Sequence, residues 1–409
     1  MNIFQFAYYY RRLVIFGFGL SFFSSFGQTF LVSLFVPGFL DTFGISNAYF
    51  GTIYSLATLC SALTLGWIGA FIDRVSLKRY AVMVAAGFFF ATLLISVSQW
   101  IWMLFIGLFG IRLFGQGLCS HTAHTAMARH FITMRGRALS ISNLGFSAGE
   151  VLLPITVTAL IAAIGWRWGW AAISLFVILG MPALILFTMR EYPGYPSESV
   201  GGTKKDTTVT ESGSHWRRTK VLEDYRFYLF IPGIMASPFL LTGFFLYQTH
   251  LADHKGWDIE LLASAFVAFG LSKSAFSLFS GELIDRFKAC RVFPFFLIPL
   301  LVGLSVLLFS DHPAAGFVYM FLAGVTMGTA FNVSTALYAE LYGTANIGAI
   351  RSMMTMFIVI STAVSPILFG FLLDFGISFD SIFLGSQIFV LISIILAIFM
   401  YREAHNIIS

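Results

Sequence analysis

Apolar positions along this chain gather into long unbroken blocks separated by short polar stretches. Runs of about 20 residues recur throughout, the length that crosses a bilayer as a helix. Twelve fall at 13–37, 48–71, 80–97, 100–124, 138–163, 169–189, 228–250, 260–281, 291–309, 314–337, 348–373 and 379–401. The one long polar interruption runs from Glu191 to Asp224 and contains "YPSESVGGTKKDTTVTESGSHWRRTK". Its Gly, Ser, Thr and charge content buries too little apolar surface to fold alone. The pattern predicts an all-α polytopic membrane protein: a six-helix bundle in 1–190, a cytoplasmic linker at 191–224 and a second six-helix bundle in 225–409.

Composition agrees with that class. Only 11% of the 409 residues are charged, 58% are hydrophobic and 48 are Phe, whereas a soluble domain carries about 25% charged residues. The net charge of +5 is not a nucleic-acid signal, because the basic residues sit in short loops between spans. With the amino terminus inside, one face receives Arg11, Arg12, Arg74, Lys78, Arg79, Arg129, Arg137 and most other cations, and the other face receives Arg167 and Lys255. The positive-inside rule therefore places both termini in the cytoplasm of a multi-pass protein of the cell membrane, the inner membrane in a bacterium. The first apolar run is too long for a cleaved signal peptide and lacks a small-residue cleavage site. Cys60, Cys119 and Cys290 have neither metal nor disulfide spacing.

The segment "GAFIDRVSLKR" (69–79) is anomalous in so apolar a chain, and "GELIDRFKACR" (281–291) repeats it. Asp73 follows span 2 and Asp285 follows span 8, so the copies occupy equivalent positions in two halves, as in transporters built from parallel repeats. Two GxxxDR loops in a 6+6 chain resemble the major facilitator superfamily. Gly69, Asp73, Arg74, Lys78 and Arg79 match its loop motif, with Ser76 where glycine is usual; Gly281, Asp285, Arg286 and Arg291 keep part of it. "RLFGQG" (112–117) resembles the family's span-4 arginine motif.

Within that family, "RHFITMRGRALSISNLGFSAGEVLLP" (129–154), "GWRWGW" (165–170) and "GAIRSMMTMFIVISTAVSPILFGFLLD" (348–374) resemble bacterial members related to the monocarboxylate and oxalate transporters. That branch usually has an arginine where this chain has Ser277; the cation here is Lys273. The resemblance implies that the loop acids form a latch. Asp73 would face the start of span 11, near Asn346 to Ile350, and Asp285 the start of span 5, near Arg137 to Ser140. Gly69, Arg74, Gly281 and Arg286 belong to the same gating device, and Glu340 and Arg351 are expected as an inner-gate or structural pair.

An ionisable group at membrane depth costs at least about 2.5–3.5 kcal/mol, so each one needs a partner or a function. Arg112 in span 4, Glu150 in span 5 and Lys273 in span 8 lie well inside their runs. Spans 4 and 5 are consecutive and antiparallel, so Arg112 and Glu150 are expected neighbours. They form either a static ion pair or a proton acceptor with its charge partner, and a substrate competing for Arg112 would then bring a proton onto Glu150. Lys273 has no acid near it in its own span. It is read as a ligand or coupling group for an anion, with pairing to Glu150 across the bundles, or snorkelling, as the alternatives. Gln28, Ser24, Tyr54, Tyr247, Gln248 and Asn332 are candidate cavity or interhelical hydrogen-bonding residues. His121 and His124 share a helix face but lack an acidic partner in sequence, so no metal is expected. Gly145 and Gly149 form a GxxxG that suits close helix packing.

No GxxxxGK[ST], HExxH or GxSxG occurs, and neither enzyme chemistry, cofactor nor ATP-driven pumping is expected. The function read from these residues is secondary transport of a small solute, an organic anion such as a monocarboxylate, by alternating access with proton coupling or exchange. A single chain is expected to suffice. The competing reading is export of a larger amphipathic compound, drug- or siderophore-like.

Overall fold

The computed structural model describes residues 5, 8–131, 134–189, 218–343 and 346–408. Most of the linker expected at 191–224 therefore lies outside the described residues. Among the described residues, ten helices are long and apolar enough to cross a membrane, and a bent pair makes an eleventh. One of these, Arg135–Met189, has non-helical backbone at Gly165 (φ 76°, ψ 168°), where it folds back as two passes. The result is the twelve-span architecture.

The passes, in order, are α1 (Arg11–Gly27, then Thr29–Phe43 after a 46° bend) and α2 (Asn47–Asp73); α3 (Leu77–Ser96) and α4 (Ile101–His130); α5 (135–164) and α6 (166–189). The second half holds α7 (Tyr225–Leu246), α8 (Ile259–Phe287), α9 (Ala289–Phe309), α10 (Ala314–Tyr342), α11 (Ile347–Asp374) and α12 (Phe379–Ile408). A short helix, Gln248–Lys255, follows α7. The exposed surface of these passes carries large apolar side chains such as Leu63, Phe90, Leu179, Leu278 and Ile392, as lipid contact requires.

Local chemistry sets the ends. Ser46 and Ser76 cap α2 and α3, their hydroxyls accepting from the N–H of Tyr49 and Arg79. Ser76, where the family pattern has glycine, thus starts the helix that follows the charged loop. Glu340, near the end of α10, accepts from the N–H groups of Ala289 (2.7 Å) and Cys290 (2.8 Å) at the start of α9. That satisfies donors that a helix start leaves free.

Helices α1–α6 pack chiefly on one another, as do α7–α12, and the bundles meet along α2–α11 and α5–α8. Close approaches are made possible by glycine. A Cβ on Gly145 would lie 2.1 Å from the Phe18 carbonyl, and one on Gly149 2.1 Å from Ser25 Oγ, so the GxxxG face of α5 lies directly on α1.

Candidate functional site

Three charges at membrane depth are arranged differently from the order expected along the chain. Arg112 does not pair with Glu150. Its Nε donates to Thr58 Oγ1 (3.1 Å) and its Nη1 to the Gly27 carbonyl (3.3 Å) and Thr29 Oγ1 (3.4 Å). The Tyr54 ring lies 5.1 Å from the guanidinium carbon, and the Tyr54 hydroxyl donates to Thr29. This cradle exists because α1 breaks: Gln28 is extended (φ −81°, ψ 153°), which takes the Gly27 carbonyl out of the helical ladder. Opposite it, α4 widens to i→i+5 hydrogen bonding over Ile111–Cys119, an irregularity that often marks functional segments. The side chain of Gln28 is half-buried at the bend.

Glu150 instead meets Lys273 across the two bundles, Nζ to Oε1 at 2.5 Å. One turn away Ser147 and Ser274 share a hydrogen bond. The approach is close because a Cβ on Gly270 would lie 2.9 Å from Val151. Glu150 Oε2 is buried with no hydrogen-bond partner. Lys273 is 29% exposed and Glu150 9%.

At the end of the molecule away from the charged loops, further polar ties join the halves. Asp374 accepts from the N–H groups of Asn47 (3.1 Å) and Ala48 (2.7 Å) and from the Asn47 side chain. Tyr247 donates to the Asn47 and Pro366 carbonyls. Gln248 donates to Ser33 Oγ and the Phe30 carbonyl. Tyr247 and Gln248, expected as cavity residues, are therefore buried in this closure. Asn332 ties α10 to the Ser277 carbonyl and Ser280 of α8, within one bundle.

The charged-loop end is arranged otherwise. Asp73 pairs with Arg129 of its own bundle, while Asp285 is exposed. Arg74 and Arg286 lie over Phe71 and Phe287. A Cβ on Gly281 would meet nothing within 4 Å, and one on Gly69 only His121, at 3.5 Å. Ser147–Ser274 and Lys273–Glu150 join the bundles at mid-depth, and Asp374, Tyr247 and Gln248 join them at the far end. Glu340 is engaged with α9, so Arg351 does not pair with it; its guanidinium carbon lies 5.6 Å from the Phe331 ring centre. His121 meets the Gly69 carbonyl and His124 meets Asn143. The described residues contain no cluster of metal ligands.

Asp374 and Ser237 escaped the reading from sequence. The first had a signal, since Gly370-Phe-Leu-Leu-Asp374 repeats at the end of span 11 the GxxxD that ends spans 2 and 8. Ser237 had none.

Comparison with known proteins places this geometry. The Major Facilitator Superfamily profile matches residues 17–251 and 233–407. A curated relative, "MFS transporter asaE" of Aspergillus flavus, is 26% identical over 260 residues, 60% of this chain and 54% of the relative. The match thus spans about half the relative's length. Among solved structures, a bacterial homologue of the human lysosomal transporter Spinster, inward-facing and occupied, superposes with TM-score 0.72 at 13% identity, over 96% of this chain and 97% of that one. The nucleoside transporter NupG, as a mutant, superposes with TM-score 0.72 at 14% identity, over 98% and 100%. With its profile matched across nearly the whole length, the chain belongs to the Major Facilitator Superfamily.

Proposed function

We propose that the chain moves a small organic anion, with monocarboxylates the leading class, across the cytoplasmic membrane by alternating access, coupled to protons or to exchange. Family membership makes it a membrane transporter of small molecules and not an enzyme. The observation that carries the finer reading is the Glu150–Lys273 pair, a carboxylate and an ammonium joining the two bundles at membrane depth.

The coupling follows from charge. The three charged groups at mid-membrane depth, Arg112, Lys273 and Glu150, sum to +1. A proton taken at Glu150 Oε2, the oxygen without a partner, removes the charge that holds Lys273. The freed ammonium then accepts a monoanion, and the sum returns to +1. Loaded and empty sites carry the same charge, so both can cross between conformations without a new electrostatic penalty. Arg112, held by neutral oxygens, keeps α1 and α4 in register and adds a fixed positive field.

Gating follows the same helices. With the charged-loop end in the cytoplasm, as the positive-inside rule favours, this conformation is closed outside by Asp374, Tyr247 and Gln248. In the opposite conformation Asp73 would leave Arg129 for the start of α11, and Asp285 would approach the start of α5. The halves that rock are 1–190 and 225–409, joined by the linker 191–224.

Counterflow in proteoliposomes tests the reading. Radiolabelled monocarboxylate should exchange, and an inward proton gradient should drive accumulation. Glu150→Gln should keep exchange and lose gradient-driven uptake. Gradient-driven uptake that survives this substitution, or no carboxylate exchange in the wild type, would count against it.

A further inference from the structure

The two cations at mid-membrane depth are engaged: Arg112 is 5% exposed and surrounded by oxygens, and Lys273 is held by Glu150. Arg351 differs. Glu340, its expected partner, has both oxygens occupied by backbone N–H groups of α9. Among the described residues no carboxylate pairs with Arg351, and its side chain is exposed on the wall of a cavity of about 190 Å³ between α7, α10 and α11. Phe331 and Met354 form apolar parts of that wall, and Ser334 and Tyr338 bring hydroxyls to it.

A second observation points independently to a ligand. Ser237 lines the same cavity from α7, is 1% exposed, and its hydroxyl has no hydrogen-bond partner. A buried hydroxyl left unpaired is costly, and a group bound in the cavity would recover that cost. The cavity thus offers a cation at one place, a free hydroxyl at another, and aromatic and thioether surface between them. Its volume is below the roughly 300–1,000 Å³ of drug-sized sites, which favours a compact occupant.

We propose that this cavity is a binding site for a compact organic anion with an apolar or aromatic body and a hydrogen-bonding group at its far end, its carboxylate on Arg351 and that group on Ser237. It is separate from the Glu150–Lys273 pair and lies toward the charged-loop end, where a solute entering or leaving from that side would dock. The inference rests on the anion-transport reading and narrows its substrate class.

The probes are phenylacetate, which carries the charge and the body, 4-hydroxyphenylacetate, which adds a far-end hydroxyl for Ser237, phenylacetamide as the neutral counterpart and acetate as the version without a ring. Binding to the purified full chain is measured by thermal shift and calorimetry. Phenylacetate should stabilise the wild type, 4-hydroxyphenylacetate should do so more, and phenylacetamide and acetate far less; 4-hydroxyphenylacetate binding no tighter than phenylacetate would remove Ser237 from the site. Arg351→Gln should weaken phenylacetate binding by about tenfold or more, the scale of one charge-assisted contact. Arg351→Lys should keep part of it, and Lys273→Gln should keep most. Melting without ligand checks that each variant is folded. Equal phenylacetate binding by wild type and Arg351→Gln would overturn the site, as would binding lost in Lys273→Gln but kept in Arg351→Gln. Absence of phenylacetate binding in the wild type would overturn the ligand class. If carboxylate counterflow persists through such a result, only this inference falls; if counterflow is absent too, the transport reading falls with it.

Discussion

Asp374, the last residue of α11, accepts hydrogen bonds from the backbone N–H groups of Asn47 and Ala48, the first residues of α2. The carboxylate fills donors that a helix start leaves open and sits at the positive end of its dipole. Removing it by Asp374→Ala should favour opening of the far end. Loss of such a cap costs about 1–2 kcal/mol, which shifts a two-state population roughly five- to thirtyfold. Spin labels at Asp41→Cys and Asp253→Cys, in a background without the native cysteines, report the opening as a longer distance. Asp374→Asn keeps one acceptor and should fall between. An unchanged distance distribution in the alanine variant would remove Asp374 from the gate.

The bridge between Glu150 and Lys273 makes a second prediction. Cutting one side of a buried ion pair leaves its partner uncompensated, at a cost of about 3–5 kcal/mol for full burial. Lys273 is 29% exposed, so water offsets part of that cost. Glu150→Gln and Lys273→Gln should each lower the melting temperature, and the double variant should recover part of the loss. Additive losses, measured by thermal denaturation at one pH, would mean that the two side chains do not interact in the folded protein.

Much of this architecture is legible in the sequence, because a bilayer sets the length of each apolar run. The observed passes, such as Leu77–Ser96 and Ala314–Tyr342, begin and end within a few residues of the runs. The charged site is less legible. Chain order favours Arg112 as the partner of Glu150, but order says nothing of which helices touch across the bundle interface. Contact between α5 and α8, close enough for Gly270 to meet Val151, gives Lys273 that place. The oxygens around Arg112 are also hidden in sequence, since the Gly27 carbonyl becomes available through the break at Gln28. Glu340 serves the start of α9 instead of Arg351, a capping role that no spacing announces.

A third prediction concerns acid. Lys255 is buried, its side chain 2% exposed, with Nζ 2.6 Å from Asp311 and 3.8 Å from Asp380. The hydrogen bond and positive charge from Lys255 hold the Asp311 carboxyl below its ordinary value. A depressed carboxyl value means that the unfolded chain binds the proton more readily. The stabilisation is therefore present above about pH 4, the unfolded value, and is lost as pH falls through the lower folded value. Melting temperatures from pH 7 to pH 3 should show this loss, and Asp311→Asn should begin lower at pH 7 and fall less steeply. Parallel curves for the two proteins would exclude Asp311 as a source of the acid sensitivity.

The antiparallel pair α2–α11 carries Gly69-x-x-x-Asp73 at the end of one helix and Gly370-x-x-x-Asp374 at the end of the other. In this conformation Asp374 joins the two helices, whereas Asp73 pairs with Arg129 of its own bundle. A Cβ on Gly370 would lie 2.6 Å from the Asn47 carbonyl, 2.7 Å from Tyr247 Oη and 2.8 Å from Ala48 Cα. The nearest atom to a Cβ on Gly69 is His121 Nε2 at 3.5 Å, an ordinary contact. Gly370→Ala must therefore push α2 and α11 apart at the far end, at an overpacking cost of about 1–3 kcal/mol. Gly69→Ala costs nothing in this conformation and bears on the opposite one, where Gly69 would lie against the start of α11. The two substitutions should both slow counterflow while moving the spin-label pair in different ways. Gly370→Ala lengthens the far-end distance, and Gly69→Ala leaves it short. A long far-end distance in Gly69→Ala would mean that the two ends of this helix pair are not reciprocal latches.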